Sequence, residues 1–328
     1  MPSLPSCSDY STSINVNSLI KAPKLSGGHP DTYNGKPIKY AGGFCIVFPY
    51  IVGTNKYAVR CWHAHLEGAK ERTKIIAESL KKINLPYFVG FEFIDDGIVT
   101  PSGTQPIVIM DWVEAKPLKR FIEDNLHNSD SLRQLADNFL KMTKDLHDNY
   151  LSHGDLQHGN IMVKSDGSIV LVDYDSMYVP ELDGWTDEIS GLPGFQHPSR
   201  WDNKYLSPKA DYFSEMVIYI SLIALSELPD LWRDLNMKDT DTLLFSTDDI
   251  KSKGNSPIFS VLDSIDSCKD IVEQMRSAFM CNSINDIEAM NVCRESLADK
   301  LSGLWGDNGY KPGPSFDRTD VVKVTSKW

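Results

Sequence analysis

The sequence HGDLQHGNIMVKSDGSIVLVDYD, residues 153–175, carries the strongest signal for the fold of this chain. Asp155 is followed five residues later by Asn160 and eighteen residues later by Asp173. Between Asn160 and Asp173 lie two short apolar runs separated by a polar turn, Ser-Asp-Gly at residues 165–167, and this pattern predicts a β-hairpin. The hairpin would bring the side chains of Asn160 and Asp173 to one of its ends.

The residue types in this stretch indicate magnesium-assisted chemistry on a phosphate. Magnesium prefers oxygen ligands and is usually held by one or two carboxylates together with the phosphates of a substrate, so Asn160 and Asp173 are candidate metal ligands. Asp155 then stays free of the metal and can orient an attacking hydroxyl group or accept its proton. The complete spacing, with an apolar strand on each side of the turn, disfavours the alternative of a merely polar loop.

The spacing resembles the catalytic loop H-R-D-x-x-x-x-N and the metal loop D-F-G of the protein-kinase-like superfamily. This resemblance implies that Asp155 is the catalytic base and that His153 supports the loop. It implies that Asn160 and Asp173 hold the magnesium ion. Gln157 stands where Ser/Thr protein kinases place a lysine against the transferred phosphate.

The resemblance extends over about residues 38–300 and implies ATP and Mg²⁺ as cofactors. It identifies residues 109–114 as the hinge of the nucleotide site, with Met110 as the gatekeeper. It implies that the backbone carbonyl group of Asp111 and the amide group of Val113 pair with adenine. The further ATP contacts that it implies are Gly42, Gly43, Val47, Ala58, Arg60, Glu71 and Met162.

Several positions depart from the family pattern. Arg60 stands where the family has the lysine that binds the α- and β-phosphates, and its planar guanidinium group is not interchangeable with an ammonium group. The acidic partner of this cation would be Glu71 or Glu78, which project from one helix face because they are seven residues apart. Gly154 replaces the arginine that pairs with a phosphorylated activation loop, so control by loop phosphorylation is not expected. Asp175 replaces the glycine of D-F-G, which should restrict flipping of the metal loop and could add a third carboxylate near the ion.

Two further segments match the family in order. Gly-Leu-Pro-Gly-Phe-Gln-His-Pro at residues 191–198 stands where the activation segment closes, and Asp211 matches the buried aspartate that steadies the catalytic loop. Such a segment is more typical of protein kinases than of aminoglycoside or choline kinases. Asp-Tyr-Asp (173–175), Phe-Gln-His-Pro (195–198) and Leu-Leu-Phe (243–245) resemble a bacterial branch of the superfamily. That branch accompanies a von Willebrand A protein and a phosphatase in the tellurite-resistance-associated phosphorylation triad.

The composition limits the classes of function. The chain has 328 residues, and 45 Asp and Glu against 33 Lys and Arg give a formal net charge of -12. This balance argues against a protein that coats nucleic acid, because phosphate backbones select clustered cations. No apolar stretch approaches the roughly 20 residues needed to span a bilayer, and the N-terminus lacks the pattern of a secretory signal. The six cysteines form no C-x-x-C pair, which favours free thiols over a zinc or disulfide framework. We therefore expect a cytoplasmic protein with neither a nucleic-acid nor a membrane partner.

The order of apolar patterns predicts an α+β fold of the two-lobed protein-kinase-like type, with a small β-rich N-lobe and a larger helical C-lobe. The predicted parts are an N-terminal extension (1–36), the N-lobe (37–113), the C-lobe (114–302) and a C-terminal tail (303–328). The sequence leaves open whether the extension and the tail dock on the core. A hairpin is predicted around the turn at residues 53–55. Helical spacing predicts helices over residues 67–83, 131–150, 210–225, 258–280 and 284–302.

Three functions are compatible with these residues. The first is an ATP- and magnesium-dependent phosphotransferase of the Ser/Thr protein kinase type, which acts on a protein substrate. The second is a pseudokinase, a nucleotide-binding scaffold or sensor without turnover. It is motivated by Arg60, by Gln157 and by Cys45 at an expected glycine, although such a scaffold needs none of the three catalytic and metal-binding residues that are retained. The third is a small-molecule kinase, which Gly154 and Gln157 suggest.

Overall fold

The computed structural model describes residues 4–65 and 68–292, and the described residues up to Met290 belong to one compact unit. Strands and helices both contribute to this unit, which confirms the predicted α+β class. The predicted tail, residues 303–328, and the last part of the predicted C-lobe lie outside the described residues. Within the described ranges, no helix is both long enough and apolar enough to cross a membrane.

Most of the strands precede residue 112. They are β1 (His29–Pro30), β2 (Thr32–Tyr33), β3 (Lys36–Pro37), β4 (Tyr40–Ala41), β5 (Cys45–Val52), β6 (Asn55–Trp62), β7 (Phe91–Thr100), β8 (Gly103–Asp111), β9 (Lys116–Pro117), β10 (Ile161–Val163) and β11 (Ile169–Leu171).

The largest sheet has the strand order β1-β5-β6-β8-β7, and β4 also pairs with β5. At its centre, β5 and β6 form the predicted antiparallel hairpin, with Cys45 opposite Trp62 and Val52 opposite Asn55. The turn between them contains Gly53, whose φ of 59° lies in the left-handed region that favours glycine. A second sheet has the order β11-β10-β9, and β2 pairs with β3 alone.

The helices dominate the chain after residue 117. They are α1 (Cys7–Ser13), α2 (Ala69–Ile83), α3 (Leu118–Asn125), α4 (Ser129–Asp148), α5 (Tyr212–Glu227), α6 (Leu231–Asp234), α7 (Thr247–Lys251), α8 (Pro257–Asp263) and α9 (Lys269–Ala278).

Three of the predicted helices are confirmed with their ends moved by about two residues. Helix α2 ends at Asn84, which adopts the left-handed conformation of a helix C-cap and donates its N–H to the Leu80 carbonyl. Helix α4 has Asn128 as its N-cap residue, and the Asn128 side chain accepts a hydrogen bond from the Ser131 N–H. Helix α5 is buried along its whole length from Phe213 to Ser226, as its nearly all-apolar sequence predicts.

The N-terminal extension is part of the core of the large sheet. Tyr10, Ile14, Ala22 and Leu25 are buried in one cluster with apolar side chains of β5, β6, β7 and β8. The hydroxyl group of Tyr10 donates to the Trp62 carbonyl at 3.0 Å. The sequence left open whether the N-terminal extension docks on the core. These contacts show that it docks on the large sheet through buried side chains.

The predicted helix over residues 284–302 is wrong at its start. Residues 284–286 form a single 3₁₀ turn, and residues 287–292 have no regular structure. The ammonium group of Lys209 donates to the carbonyls of Asn285 (2.8 Å) and Ile287 (3.3 Å). A helix would direct those carbonyls to its own amides, so this side-chain contact competes with it. Residues 293–302 lie outside the described residues.

Candidate active site

The hairpin of β10 and β11 brings Asn160 and Asp173 to the same end. Ile161 pairs with Leu171, and beyond this pair the Val172 N–H donates to the Asn160 carbonyl at 3.0 Å. Asp173 follows directly with a φ of 66°. A non-glycine residue in the left-handed region is strained, and such strain concentrates at functional sites.

The loop before this hairpin is anchored to the start of helix α5. The backbone amides of His153 and Gly154 both donate to the buried carboxylate of Asp211, the second at 2.9 Å. Burial raises the pKa of Asp211, while the two amide hydrogen bonds and the charge of Arg200 oppose this effect. The fully buried ring of His153 faces the Val172 carbonyl with its Nε2 at 2.9 Å, so this nitrogen carries a proton and donates it. His153 therefore ties the loop to the strand end that carries Asp173.

Asp155 is fixed by hydrogen bonds on both carboxylate oxygens. Asn160 donates from Nδ2 to Asp155 Oδ2 (3.0 Å) and to the Asp155 carbonyl (2.9 Å). The Leu192 N–H donates to Asp155 Oδ1 at 3.0 Å. Because Asn160 uses its amide nitrogen in this way, its amide oxygen, which accepts no hydrogen bond from the described residues, remains a possible ligand for a cation.

A cavity of about 710 Å³ lies beside these residues. Asp155, Asp173 and Asp175 contribute to its walls. Of the residues predicted to contact ATP, nine line it and Glu71 does not. The nine are Gly42, Gly43, Val47, Ala58, Arg60, Met110, Asp111, Val113 and Met162.

The cavity presents unpaired backbone amides at two places. In the predicted hinge, the N–H groups of Asp111 and Trp112 are bonded to the carbonyls of Gly90 and Lys56. The N–H of Val113 has no acceptor among the described residues. At the entrance to β5, the amides of Gly43 and Phe44 also have no acceptor in the described part of the chain, so they are available to an anion.

Arg60 is a buried cation in the cavity wall. Its guanidinium group forms an ion pair with Asp175, and its Nη1 lies 3.7 Å from Asp173 Oδ1. Burial alone would lower the pKa of Arg60, but the charges of Asp175 and Asp173 raise it above the ordinary value. Arg60 therefore stays charged. Burial raises the pKa of the neighbouring Cys45 thiol to about 11, so Cys45 stays neutral at pH 7.

The structure brings neither predicted acidic partner to Arg60. Glu71 and Glu78 are exposed, and the only carboxylates within 4.0 Å of the Arg60 guanidinium group in the described residues are those of Asp173 and Asp175. The charged residue on the buried side of α2 is Arg72, which donates to the carbonyls of Asp175 (3.2 Å) and Thr186 (2.5 Å). The sequence contained a signal for this, because Arg72 precedes the buried Ile76 and Leu80 by four and eight residues and shares their face.

A buried ion pair that the sequence did not reveal lies behind the loop that carries Asp155. Asp187 and Arg200 are in contact, and their side chains are 1% and 0% exposed. Arg200 also donates from Nη2 to the Gly154 carbonyl at 3.1 Å. Gly154 has a φ of 76°, and a Cβ atom there would overlap the carbonyl of Ser176. The arginine of the family pattern does not fit at position 154, and Arg200 supplies a cation to the loop from elsewhere in the chain.

Gln157 points back into its own loop. Its side-chain oxygen accepts a hydrogen bond from the Gly159 N–H at 2.6 Å, and Gln157 is not among the residues that line the cavity. The neighbouring His158 stacks on Phe195, with ring centroids 5.4 Å apart. Burial lowers the pKa of His158 to about 4, so its ring is neutral at pH 7.

The donor set fits magnesium bound together with a phosphate ligand. No group of three or more His, Cys, Asp or Glu side chains in the described ranges converges on a metal position. Magnesium does not need such a cage, because it is commonly held by one or two protein oxygens, substrate phosphates and water. A cation bound here would offset the neighbouring negative charges of Asp173 and Asp175, which both line the cavity.

Comparisons with known proteins agree with this geometry. No curated protein matches the chain. A family model described as the protein kinase domain matches residues 41–282, which is more than half of the chain and includes the β10–β11 hairpin and every cavity-lining residue except Tyr40. The chain therefore belongs to the protein kinase family.

Proposed function

We propose that this protein is an ATP- and magnesium-dependent phosphotransferase that acts on a Ser or Thr hydroxyl group of a protein substrate. The observation that carries the proposal is the arrangement around Asn160. Its amide nitrogen orients Asp155, its amide oxygen is left for a cation, and Asp173 lies beside it across the end of the hairpin. One residue thus links the candidate base to the candidate metal site.

Asp155 is the proposed base. Each of its carboxylate oxygens accepts one hydrogen bond, and each has a further lone pair for the proton of a substrate hydroxyl group. The bonds from Asn160 and Leu192 fix the direction of these lone pairs before a substrate arrives. Fixed orientation of this kind is the main protein contribution to phosphoryl transfer.

The nucleotide is proposed to occupy the cavity of about 710 Å³. The free N–H of Val113 would bind an adenine nitrogen, and the free amides of Gly43 and Phe44 would bind phosphate oxygens. Arg60 supplies positive charge at the same wall. Magnesium, when bound with ATP on Asn160 and Asp173, would offset the negative charge of the phosphates.

A nucleotide-binding protein without turnover is the second candidate, and one observation favours it. Arg60 is already paired with the Asp175 carboxylate, which reduces the charge that it can offer to a phosphate. Against this candidate stands the retention of Asp155 together with Asn160 and Asp173, because nucleotide binding alone does not need an oriented base. A small-molecule acceptor is the third candidate. We also propose that the chain belongs to the bacterial branch of the tellurite-resistance-associated triad and that it is cytoplasmic. This assignment rests on the resemblance of the three short motifs at residues 173–175, 195–198 and 243–245.

The test is transfer of the labelled γ-phosphate of ATP by the full chain, with the protein itself and a generic protein such as casein as acceptors. Wild type should transfer label to Ser or Thr, and Asp155→Asn and Asp173→Asn should each reduce transfer at least 100-fold. Asp95→Asn is the control, because Asp95 is 70% exposed and lies outside the cavity.

Each other outcome would contradict the proposal in a different way. A thermal shift with magnesium and ATP but no transfer by wild type would favour the second candidate. Label found only on sugars, amino alcohols or aminoglycosides would favour the third. Equal transfer by wild type and both variants would remove Asp155 and Asp173 from the reaction.

A further inference from the structure

The buried charge of Arg60 needs a permanent partner, and the structure supplies one in an unexpected place. Removing an ionised group from water without a counter-charge is strongly unfavourable. The side chain of Arg60 is 7% exposed, that of Asp175 is 18% exposed and that of Asp173 is 56% exposed. Asp175 is thus the recessed partner in direct contact, whereas Asp173 lies farther from Arg60 and opens into the cavity.

The metal loop holds these two carboxylates apart. The side chain of Tyr174, which lies between them, is almost fully buried. Its hydroxyl group donates to the Leu171 carbonyl at 2.7 Å and accepts from the Val89 N–H at 3.0 Å. Because burial and two hydrogen bonds at its hydroxyl group fix the Tyr174 side chain, the acids before and after it keep separate positions.

Helix α2 docks on this loop through a cation. Arg72 reaches the backbone carbonyl of Asp175 and leaves the Asp175 carboxylate to Arg60. In the family pattern that the sequence resembles, an acid of this helix would hold the phosphate-binding cation. Here the helix presents Arg72 on its buried side, while Glu71 and Glu78 face solvent.

We propose that Asp175 is the positioning residue of this site: it binds Arg60 and thereby leaves Asp173 free to ligate the metal. This inference rests on the proposed function. Asp173 Oδ1 lies 3.7 Å from Arg60 Nη1, so without Asp175 it is the remaining carboxylate within ion-pair distance in the described residues. Arg60 would then move onto Asp173 and compete with the metal for it.

The test measures metal binding instead of turnover. Manganese replaces magnesium as a paramagnetic probe, and its binding to the full chain is followed by electron paramagnetic resonance with a saturating non-hydrolysable ATP analogue. Loss of an outer hydrogen-bonding partner commonly weakens metal affinity about 10- to 100-fold. We expect Asp175→Asn to raise the dissociation constant of manganese about 10-fold, and Asp175→Glu, which keeps the charge, to recover most of this loss.

The decisive variant is the double substitution Arg60→Gln with Asp175→Asn. If Asp175 acts only by occupying Arg60, removing Arg60 as well should restore the manganese dissociation constant to within about threefold of wild type. Glu71→Gln and Glu78→Gln are the matched controls and should change it less than twofold. The double variant also has no buried arginine without a counter-charge. Its manganese affinity can therefore still be compared with that of wild type if Asp175→Asn alone does not fold.

Three results would overturn the inference. If the double variant binds manganese as weakly as Asp175→Asn, then Asp175 is itself a ligand of the metal. If Asp175→Asn binds as wild type does, or if Glu71→Gln or Glu78→Gln weakens binding equally, Asp175 does not position this site. A wild-type chain that shows the expected pattern but transfers no phosphate would refute the proposed function and support this inference.

Discussion

The buried pair of Asp187 and Arg200 allows the sharpest prediction about stability. Asp187→Ala leaves the guanidinium group of Arg200 without its counter-charge in a position that is 0% exposed. Removing one partner of a buried ion pair costs about 3–5 kcal/mol. Folded domains are stable by only about 5–15 kcal/mol in total, so the free energy of unfolding should fall by roughly a fifth or more.

The double substitution Asp187→Leu with Arg200→Met separates stability from function. Apolar side chains of similar volume commonly replace a buried ion pair at no loss, or with a gain of about 1–4 kcal/mol. The double variant should therefore be at least as stable as wild type. It should still lose phosphate transfer, because the Gly154 carbonyl no longer receives the hydrogen bond from Arg200 that holds the catalytic loop.

The assay is unfolding in guanidinium chloride followed by tryptophan fluorescence and far-ultraviolet circular dichroism. Agreement of the two signals and an unchanged dependence on denaturant concentration would show that the difference lies in stability. Asp148→Ala is the control, because the pair of Asp148 and Lys144 is exposed and should contribute less than about 1 kcal/mol. The reasoning is refuted if Asp187→Ala loses less than about 1 kcal/mol, or if the double variant is as unstable as the single one.

Three further predictions concern the N-terminal segment, the pair of His147 and Glu215, and Gly154. Ile14→Ala removes a side chain that is 0% exposed and should cost about 2–5 kcal/mol in denaturant unfolding, whereas a cost below about 0.5 kcal/mol would mean that the N-terminal segment is not part of the core. Burial alone would lower the pKa of His147, but the hydrogen bond and charge of Glu215 raise this pKa above 6.5. The pair of His147 and Glu215 therefore stabilises the fold most below pH 6.5, and this stabilisation is lost as the pH rises through the raised pKa. His147→Gln should remove that pH dependence from thermal unfolding measured between pH 6 and 8, and an identical pH profile for wild type and variant would contradict it. Gly154→Ala should lower the free energy of unfolding by about 1–3 kcal/mol, because position 154 has a positive φ and a Cβ atom there would overlap Ser176. Gly43→Ala is the control and should unfold as wild type does, because a Cβ atom at position 43 meets nothing within 4 Å. Equal stability of the two variants would contradict this prediction.

The local spacing of the chemistry-bearing residues was readable from the sequence. Asn160 and Asp173 flank two short apolar runs. The antiparallel pairing of these runs in a hairpin brings the two flanking residues together, independently of the rest of the chain. Most of the predicted nucleotide contacts line one cavity for a similar reason, because they lie on paired strands and at the predicted hinge, which begins in the last residues of β8. Such predictions depend on short-range geometry, which the order of residues largely determines.

The partners of charged side chains were not readable in the same way. Glu71 and Glu78 share a helix face with each other, but only the packed structure shows that this face is exposed and that Arg72 lies on the buried side. Asp187 and Arg200 are thirteen positions apart, Asp187 in an irregular stretch and Arg200 in the short 3₁₀ helix Pro198–Asp202, so no periodicity points to their pairing. Choosing among several acids for one cation requires tertiary distances.

The N-terminal segment shows the limit of hydrophobic periodicity. Tyr10, Ile14, Ala22 and Leu25 are spread over short helical turns and extended stretches, so they form no single repeating pattern. They are nevertheless buried against the large sheet. Hydrophobic periodicity in a sequence predicts only regular helices and strands. A segment that packs through isolated side chains is recognised only in the folded structure, from the surface that it covers.

The most direct test of the central claim is a crystal structure of the full chain with magnesium and a non-hydrolysable ATP analogue. We predict adenine against the N–H of Val113, magnesium on the Asn160 amide oxygen and the Asp173 carboxylate, and Arg60 between the phosphates and Asp175. Nucleotide bound outside this cavity, or magnesium held away from both Asn160 and Asp173, would contradict the account.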